Sequence, residues 1–381
     1  MKGKKSEEVS LRGFLRHMYE HWRVSYEAIT DSKRTVPVIS KNTIANVLIC
    51  ATVQGARSLR EADFLSHSPV MRSVTGRGVS DSSLARAAGG FRGTRRLLRS
   101  FWRRLRSRGL FGGEHIAVVD GTFWGGHFTS VVAQIGAVPA VIDTANIGHQ
   151  GKELCTSLAL LDRLGQQEGH FADYVLGDDL YACERFWQVC ERLSAYGLVK
   201  SCDTQAYHAI TQAKELFDYP VRGEQLGYQY AEGTDLEKAC HYRIWQTTAL
   251  WADTRRRITV ARVEETGLKT AGHEVFWVLT QDLAIDPLKL RRLAHARWFI
   301  ENNVFKAFND TAHSKHQFSR DAHTAEVLTH LQALAFMMLS VYRHDLEQDP
   351  ETPRRLWDHG RIALRLLQSV LRFVFSLADS S

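Results

Sequence analysis

IAVVDGT, residues 116–122, decides how the chain is read. Ile116, Ala117, Val118 and Val119 form an apolar run too short for a helix, preceded by a boundary at Gly109, Gly112 and Gly113. A buried strand ending on Asp120 is predicted. The next run, SVVAQIGAVPAVID at 130–143, is interrupted by Gly136 and Pro139 and reads as two strands around a turn. Residues 152–164 return to helical spacing, YVLGDD at 174–179 is a short buried strand ending on Asp178, residues 180–196 are helical, and 198–201 form another strand. This is the order of an α/β sheet layer, and such sheets place their sites at the carboxyl ends of strands.

Upstream, residues 1–109 read as an all-α region. Ser58 and Ser80 stand where helix caps are expected. Residues 91–108 carry Arg92, Arg95, Arg96, Arg99, Arg103, Arg104, Arg106 and Arg108 between Leu97, Leu98, Phe101, Trp102 and Leu105. With few acids nearby in sequence, this helix is expected to lie along a phosphate backbone, and Arg95, Arg96, Arg99 and Arg103 are the assigned DNA contacts. Downstream, residues 203–272 break the alternation of strand and helix. HYRIWQTTALWA at 241–252 and RRRITVARVEE at 255–265 alternate as antiparallel ribbons do, which predicts an inserted β-rich subdomain with a basic face at Arg255, Arg256, Arg257 and Arg262. EVFWVLTQ at 274–281 resumes the sheet. The expected segments are thus 1–109, 110–202, 203–272, 273–345 and a helical tail, 346–381.

The chain has 381 residues, 44% of them apolar, enough for a large core. The net charge of +7 permits a polyanionic partner without requiring one. Six cysteines without a C-x-x-C pair point away from a disulfide framework or a zinc ribbon and toward a reducing compartment. MKGKKSEEVSLRG at the start lacks an apolar leader core, and no apolar run is read as long enough to cross a bilayer, so an intracellular protein without a membrane partner is expected.

Asp286-Pro287 opens a stretch, LRRLAHARWFIENNVFKAFND at 290–310, that reads as one long amphipathic helix with Leu290, Leu293, Ile300, Val304 and Phe308 on its buried stripe. Arg297 and Glu301 fall one turn apart on the same flank. Asp120, Asp178 and Glu301 would then be carboxylates at two strand ends and on one helix, able to converge on divalent metal. Breaking a DNA phosphodiester needs an activated oxygen, a stabilised leaving oxygen and neutralised charge, which two magnesium ions about 3.5–4 Å apart supply when carboxylates hold them.

Asp120 in VVDGT, Asp178 with Tyr181 three positions on in GDDLY, and RWFIENNVF resemble the three acidic motifs of insertion-sequence transposases of the Asp-Asp-Glu type. The likeness runs from His115 to about Tyr342, and the long gap between Asp178 and Glu301 is similar to the subclass with a β-strand insertion. The resemblance implies a ribonuclease-H-like mixed sheet flanked by helices. It makes Asp120, Asp178 and Glu301 the catalytic and metal-binding residues, with Mg2+ as cofactor and Mn2+ able to substitute. The implied partner is double-stranded DNA, both element ends and target, with a homodimer when two ends are synapsed. The setting would be the prokaryotic cytoplasm, associated with the nucleoid. In the subclass signature a tyrosine precedes the arginine and a lysine follows the glutamate; here those positions are Ala294 and Phe308, with Lys306 as a candidate substitute. Arg297 is assigned to a phosphate near the scissile bond, since a planar fork suits phosphate oxygens, and Trp298 to the core or to a base.

Neighbouring residues offer alternatives. Asp179 could replace Asp178 as ligand, although the Asp-x-x-Tyr spacing selects Asp178. Asp143 is read as a turn residue, Glu153 as the first turn of a helix, and His313, His316 and His323 as surface or DNA-side histidines. The rival functions are a metal-dependent nuclease on the same fold and a catalytically inactive DNA-binding descendant.

Overall fold

The computed structural model describes residues 9–32, 39–148, 151–202, 207–218, 227–251, 255–268, 272–313, 315–348 and 362–368. The backbone falls into two compact units, neither a single run of sequence: Met1–Gly113 with Gly121–Thr156 and Glu301–Ser381, and Glu114–Asp120 with Ser157–Ile300.

The first unit is mainly helical. Helices α1 (Leu11–Arg16), α2 (Lys41–Val53), α3 (Leu59–Ser66), α4 (Pro69–Thr75), α5 (Asp81–Ala88) and α6 (Thr94–Ser107) fill its amino-terminal part. Ser10, Ser40, Ser58, Ser68 and Ser80 each cap a helix by accepting a backbone N–H from three residues on, satisfying a donor that the first turn leaves open. A two-stranded pairing of β1 (Thr30–Asp31) with β2 (Phe91–Arg92) interrupts the expected all-α pattern. The later part holds α11 (Ala307–Ala312), α12 (Ala322–Gln348) and a helical segment at 362–368.

α12 is long and apolar enough to span a membrane by length and composition, contrary to the reading from sequence. Its most apolar window is 94% buried, however, so it serves as the core helix on which α2 and α6 pack. Phe308 joins that core, its ring 4.5 Å from Trp124 and 5.4 Å from Phe336.

Strand β3 (Ile116–Trp124) gives its first half to the second unit and its second half to the first, where it turns into β4 (His127–Ile135). The turn is Gly125-Gly126, with φ of +61° and +86°, the two positive values a tight hairpin of this twist requires. β4 pairs antiparallel with β5 (Ala140–Asn146). Asp143 lies inside β5, fully buried, so its expected turn role is corrected.

In the second unit β3 pairs parallel with β6 (Tyr174–Gly177), and β6 parallel with β7 (Tyr196–Cys202). Antiparallel β11 (His273–Thr280), β10 (Arg256–Gly267), β9 (Cys240–Trp251) and β8 (Gln229–Asp235) extend the sheet from β7 in that order. It is a large mixed sheet flanked by helices. Helix α7 (Glu153–Glu168) precedes β6, and α8 (Glu184–Arg192) packs on β7. Helix α9 (His208–Phe217), unforeseen in the segment expected to be β-rich, covers β9 and β10, with Phe217 stacked 6.0 Å from Trp277.

α10 (Pro287–Phe299) starts where the Asp-Pro pair predicts: Asp286 Oδ1 accepts from the N–H groups of Leu288 and Lys289 at 2.9 and 3.1 Å. The expected single α-helix over 290–310 is corrected. A π-helical stretch, Ile300–Lys306, separates α10 from α11.

Candidate active site

Val118 pairs with Leu176 across the parallel β3–β6 ladder. Two residues further on stand Asp120, which lies inside β3 and not at its end as expected, and Asp178, just past the end of β6, so the two carboxylates fall at matching positions on neighbouring parallel strands. Asp120 is buried at 9% exposure. Asp178 is half-buried and accepts the Leu180 N–H at 3.0 Å, capping the 3-10 turn Asp179–Tyr181. Gly177, just before it, allows close approach of the Tyr181 ring, which a Cβ would meet at 2.8 Å. The buried Tyr181 hydroxyl lies 2.9 Å from Ser157 Oγ, which ties this strand end to α7.

Asp179 takes a different direction from Asp178. Its Oδ2 accepts the Cys202 N–H at 3.3 Å, and its carbonyl accepts the Tyr207 hydroxyl at 3.1 Å. Burial, then the charges of Asp179 and Asp178, raise the Tyr207 hydroxyl pKa above its ordinary value. These contacts give Asp179 a tethering role at the end of β7.

Arg297 is brought to Asp120. Its Nη1 lies 3.7 Å from Asp120 Oδ2, and both groups are largely withdrawn from water. α10 is rotated into this position by contacts that the sequence reading missed. Glu265 Oε1 on β10 accepts from Arg291 Nε at 2.6 Å and pairs with His295 Nε2 at 2.7 Å. Arg291 Nη1 reaches Asp235 Oδ2 at 2.9 Å and its guanidinium lies over Tyr242, 4.5 Å from the ring centre. Burial alone would raise the Glu265 carboxyl, but His295 and Arg291 outweigh it and hold the pKa below the usual glutamate range. Arg291 and His295 are i and i+4, a visible spacing, but the partner glutamate lies in a strand distant in sequence.

Trp298, 38% exposed, is not a core residue. Lys200 Nζ sits between it and Phe276, 3.8 and 3.9 Å from the two ring centres, and bonds Glu274 Oε1 at 2.8 Å. Glu301 is exposed in the first turn of the π-helical stretch, and Lys306, its last residue, is exposed as well. Among the described residues, no three His, Cys, Asp or Glu side chains gather closely enough to hold a metal ion.

The basic helix α6 is partly an internal tie. Arg99 is buried on Asp143, and Arg95 binds Asp143 Oδ1 through Nε at 2.9 Å and also pairs with Glu326. Arg104 donates to the Trp22 and Arg23 carbonyls, and Arg108 lies 4.1 Å from the Trp22 ring centre. The premise that few acids lie near these arginines is therefore corrected, while Arg96 and Arg103 remain exposed. At β10 Arg256 is paired with Glu184 and Glu191, and Arg262 with Asp218, whereas Arg255 and Arg257 are exposed. His313 is half-buried and His316 exposed; His323 Nε2 is 3.0 Å from the Phe91 carbonyl.

Compared with models of protein families, the chain matches none, and no curated protein matches it.

Proposed function

We propose that the chain is a metal-dependent enzyme acting on double-stranded DNA, a transposase of the Asp-Asp-Glu type on a ribonuclease-H-like core. The observation that carries this reading is the pair of aspartates at matching positions on neighbouring parallel strands, one inside β3 and one just past β6, with a buried guanidinium 3.7 Å from the first. Carboxylates on β3 and just past β6 are the hard oxygen donors that Mg2+ or Mn2+ prefers, and a magnesium ion keeps several waters, so few protein ligands are needed. Asp120 and Asp178 fit that donor set, and Glu301 is proposed as the third carboxylate from its sequence motif. When bound, the ions would lower the pKa of an attacking water or 3′-hydroxyl and neutralise the leaving oxygen.

The chain's own groups have separate tasks. Arg297 holds Asp120 in orientation and offers a planar donor fork to a phosphate beside it. The exposed face of Trp298 is available to a base, and exposed Arg96, Arg103, Arg255, Arg257 and Lys306 would contact the backbone. With these roles, each element end is hydrolysed and the freed 3′-hydroxyl attacks target DNA, two ends being held by a homodimer in the prokaryotic cytoplasm.

The test is incubation with duplex DNA from the flanks of the coding sequence, with Mg2+ or with chelator, followed by pre-cleaved ends with target plasmid. Joined products support transposition; hydrolysis alone supports the nuclease. Asp120→Asn and Asp178→Asn are expected to lower cleavage by about 10²-fold or more. Unchanged metal-dependent cleavage in Asp120→Asn overturns the assignment.

A further inference from the structure

We infer that Glu265 is a positioning residue for the Asp120 site, acting through α10; this rests on the function proposed above. Glu265 lies on β10 and touches neither Asp120 nor Arg297 in any described contact. What it holds is the opposite side of the helix. Its carboxylate receives Arg291 at 2.6 Å and His295 at 2.7 Å, one turn apart on α10. Arg291 extends the grip to Asp235 at 2.9 Å and to Cys240 Sγ at 3.2 Å, so β8, β9 and β10 all fasten the same helical face.

Arg297 follows His295 by two residues, about 200° around an α-helix, and so points away from the face that Glu265 holds. A side-chain tip about 6 Å from the axis travels about 2 Å when the helix turns by about 20°. That is enough to carry Arg297 Nη1 from its 3.7 Å position out of reach of Asp120. α10 has a second anchor, Glu114, which pairs with Lys289 at 2.6 Å and Arg292 at 3.2 Å. Those pairs are more open to water, Arg292 being 67% exposed, and screening weakens them. Arg291 and Glu265 are 9% and 10% exposed at their side chains, so their pairing sets the helix rotation more rigidly.

The groups facing Glu265 are Arg291 and His295 from α10, with Asp235, Lys238 and Cys240 around Arg291. Glu265→Gln keeps an oxygen for His295 and removes the charge that binds Arg291; Glu265→Ala removes both. Two readouts separate the inference from the function it rests on. The first is metal-dependent cleavage of duplex DNA: Glu265→Ala should lower kcat about tenfold with KM for DNA unchanged, with Glu265→Gln intermediate. The second is 19F NMR of the chain labelled with 5-fluorotryptophan, in which the Trp298 signal, assigned by its loss in Trp298→Phe, should move in Glu265→Ala while that of Trp102 stays. If the parent does not cleave DNA, the proposed function fails and the 19F signal alone decides the positioning role. A folded Glu265→Ala protein with parental kcat, or with an unmoved Trp298 signal, overturns it; a variant that fails to fold passes the decision to Glu265→Gln under the same criteria.

Discussion

Replacing Arg99 by methionine asks whether helix α6 is a structural tie at its centre. The Arg99 side chain is 5% exposed and Asp143 is 0% exposed, whereas Arg95, the other guanidinium on that carboxylate, is 32% exposed. Arg99→Met leaves the buried Asp143 carboxyl bonded to the Thr144 N–H at 2.8 Å and to the partly exposed Arg95 at 2.9 Å. Removing one member of a buried pair costs about 3–5 kcal/mol when the remaining charge is left uncompensated; with Arg95 still on Asp143, the lower end, about 3 kcal/mol, is expected. Arg95→Met, nearer the surface, should cost about 1 kcal/mol or less. The double variant Arg99→Met with Asp143→Leu should recover most of the loss, since an apolar pair of similar size often matches a buried ion pair. At about 2–4 °C per kcal/mol for a unit of this size, Arg99→Met should melt roughly 6–12 °C below the parent. Urea unfolding of the parent, both single variants at 99 and 143, and the double variant gives the coupling energy, expected to be about 2 kcal/mol or more. Arg99→Met unfolding within about 1 kcal/mol of the parent, or an additive cycle, would refute the tie.

DNA affinity should depend instead on the exposed arginines of the same helix: replacing Arg96 or Arg103 by glutamine is expected to reduce the slope of log K against log salt by about one each, measured by fluorescence anisotropy. Gly126→Ala should destabilise by about 1–3 kcal/mol, because φ is +86° and the new Cβ would meet Gln317 Cα at 3.0 Å; chemical denaturation reads it. Acid should weaken the protein through Asp345. Burial opposes ionisation there, but His17 and Trp22 bind the carboxylate at 2.7 Å and hold its pKa below the ordinary value. A depressed carboxylate pKa stabilises the fold above the unfolded value of about 3.9, and that contribution disappears as pH falls through the folded one. Asp345→Asn should therefore flatten stability against pH below about 4 while lowering it at neutral pH, as followed by thermal melts.

The two parallel strands were legible because a run such as IAVVD or YVLGDD has one plausible burial, and the serine caps because an N-cap is a local event. Strands β9 and β10 showed themselves by period-two alternation, although they extend the large sheet. Other features depend on partners far away in sequence. Nothing local in α6 tells that Arg99 turns inward to Asp143 while Arg96 faces water. The continuation of β3 past Asp120 was obscured because Thr122 and Phe123 interrupt its burial, although Gly125-Gly126 was a hairpin signal. The π-helical stretch at Ile300–Lys306 defeats a 3.6-residue reading, since its hydrogen bonds close one residue later than those of an α-helix. α9 escaped notice because His208–Phe217 lies between ribbons whose alternation dominated the reading.

The burial of α12 on nearly every side has a consequence for biosynthesis. Its neighbours α2, α6 and β5 leave the ribosome some two hundred residues before it does, with the apolar surfaces that α12 will cover still bare. A nascent chain stalled near residue 320 is therefore expected to stay protease-sensitive over residues 41–107 and to recruit holdase chaperones, while release of the next thirty residues closes the hydrophobic interior in one step.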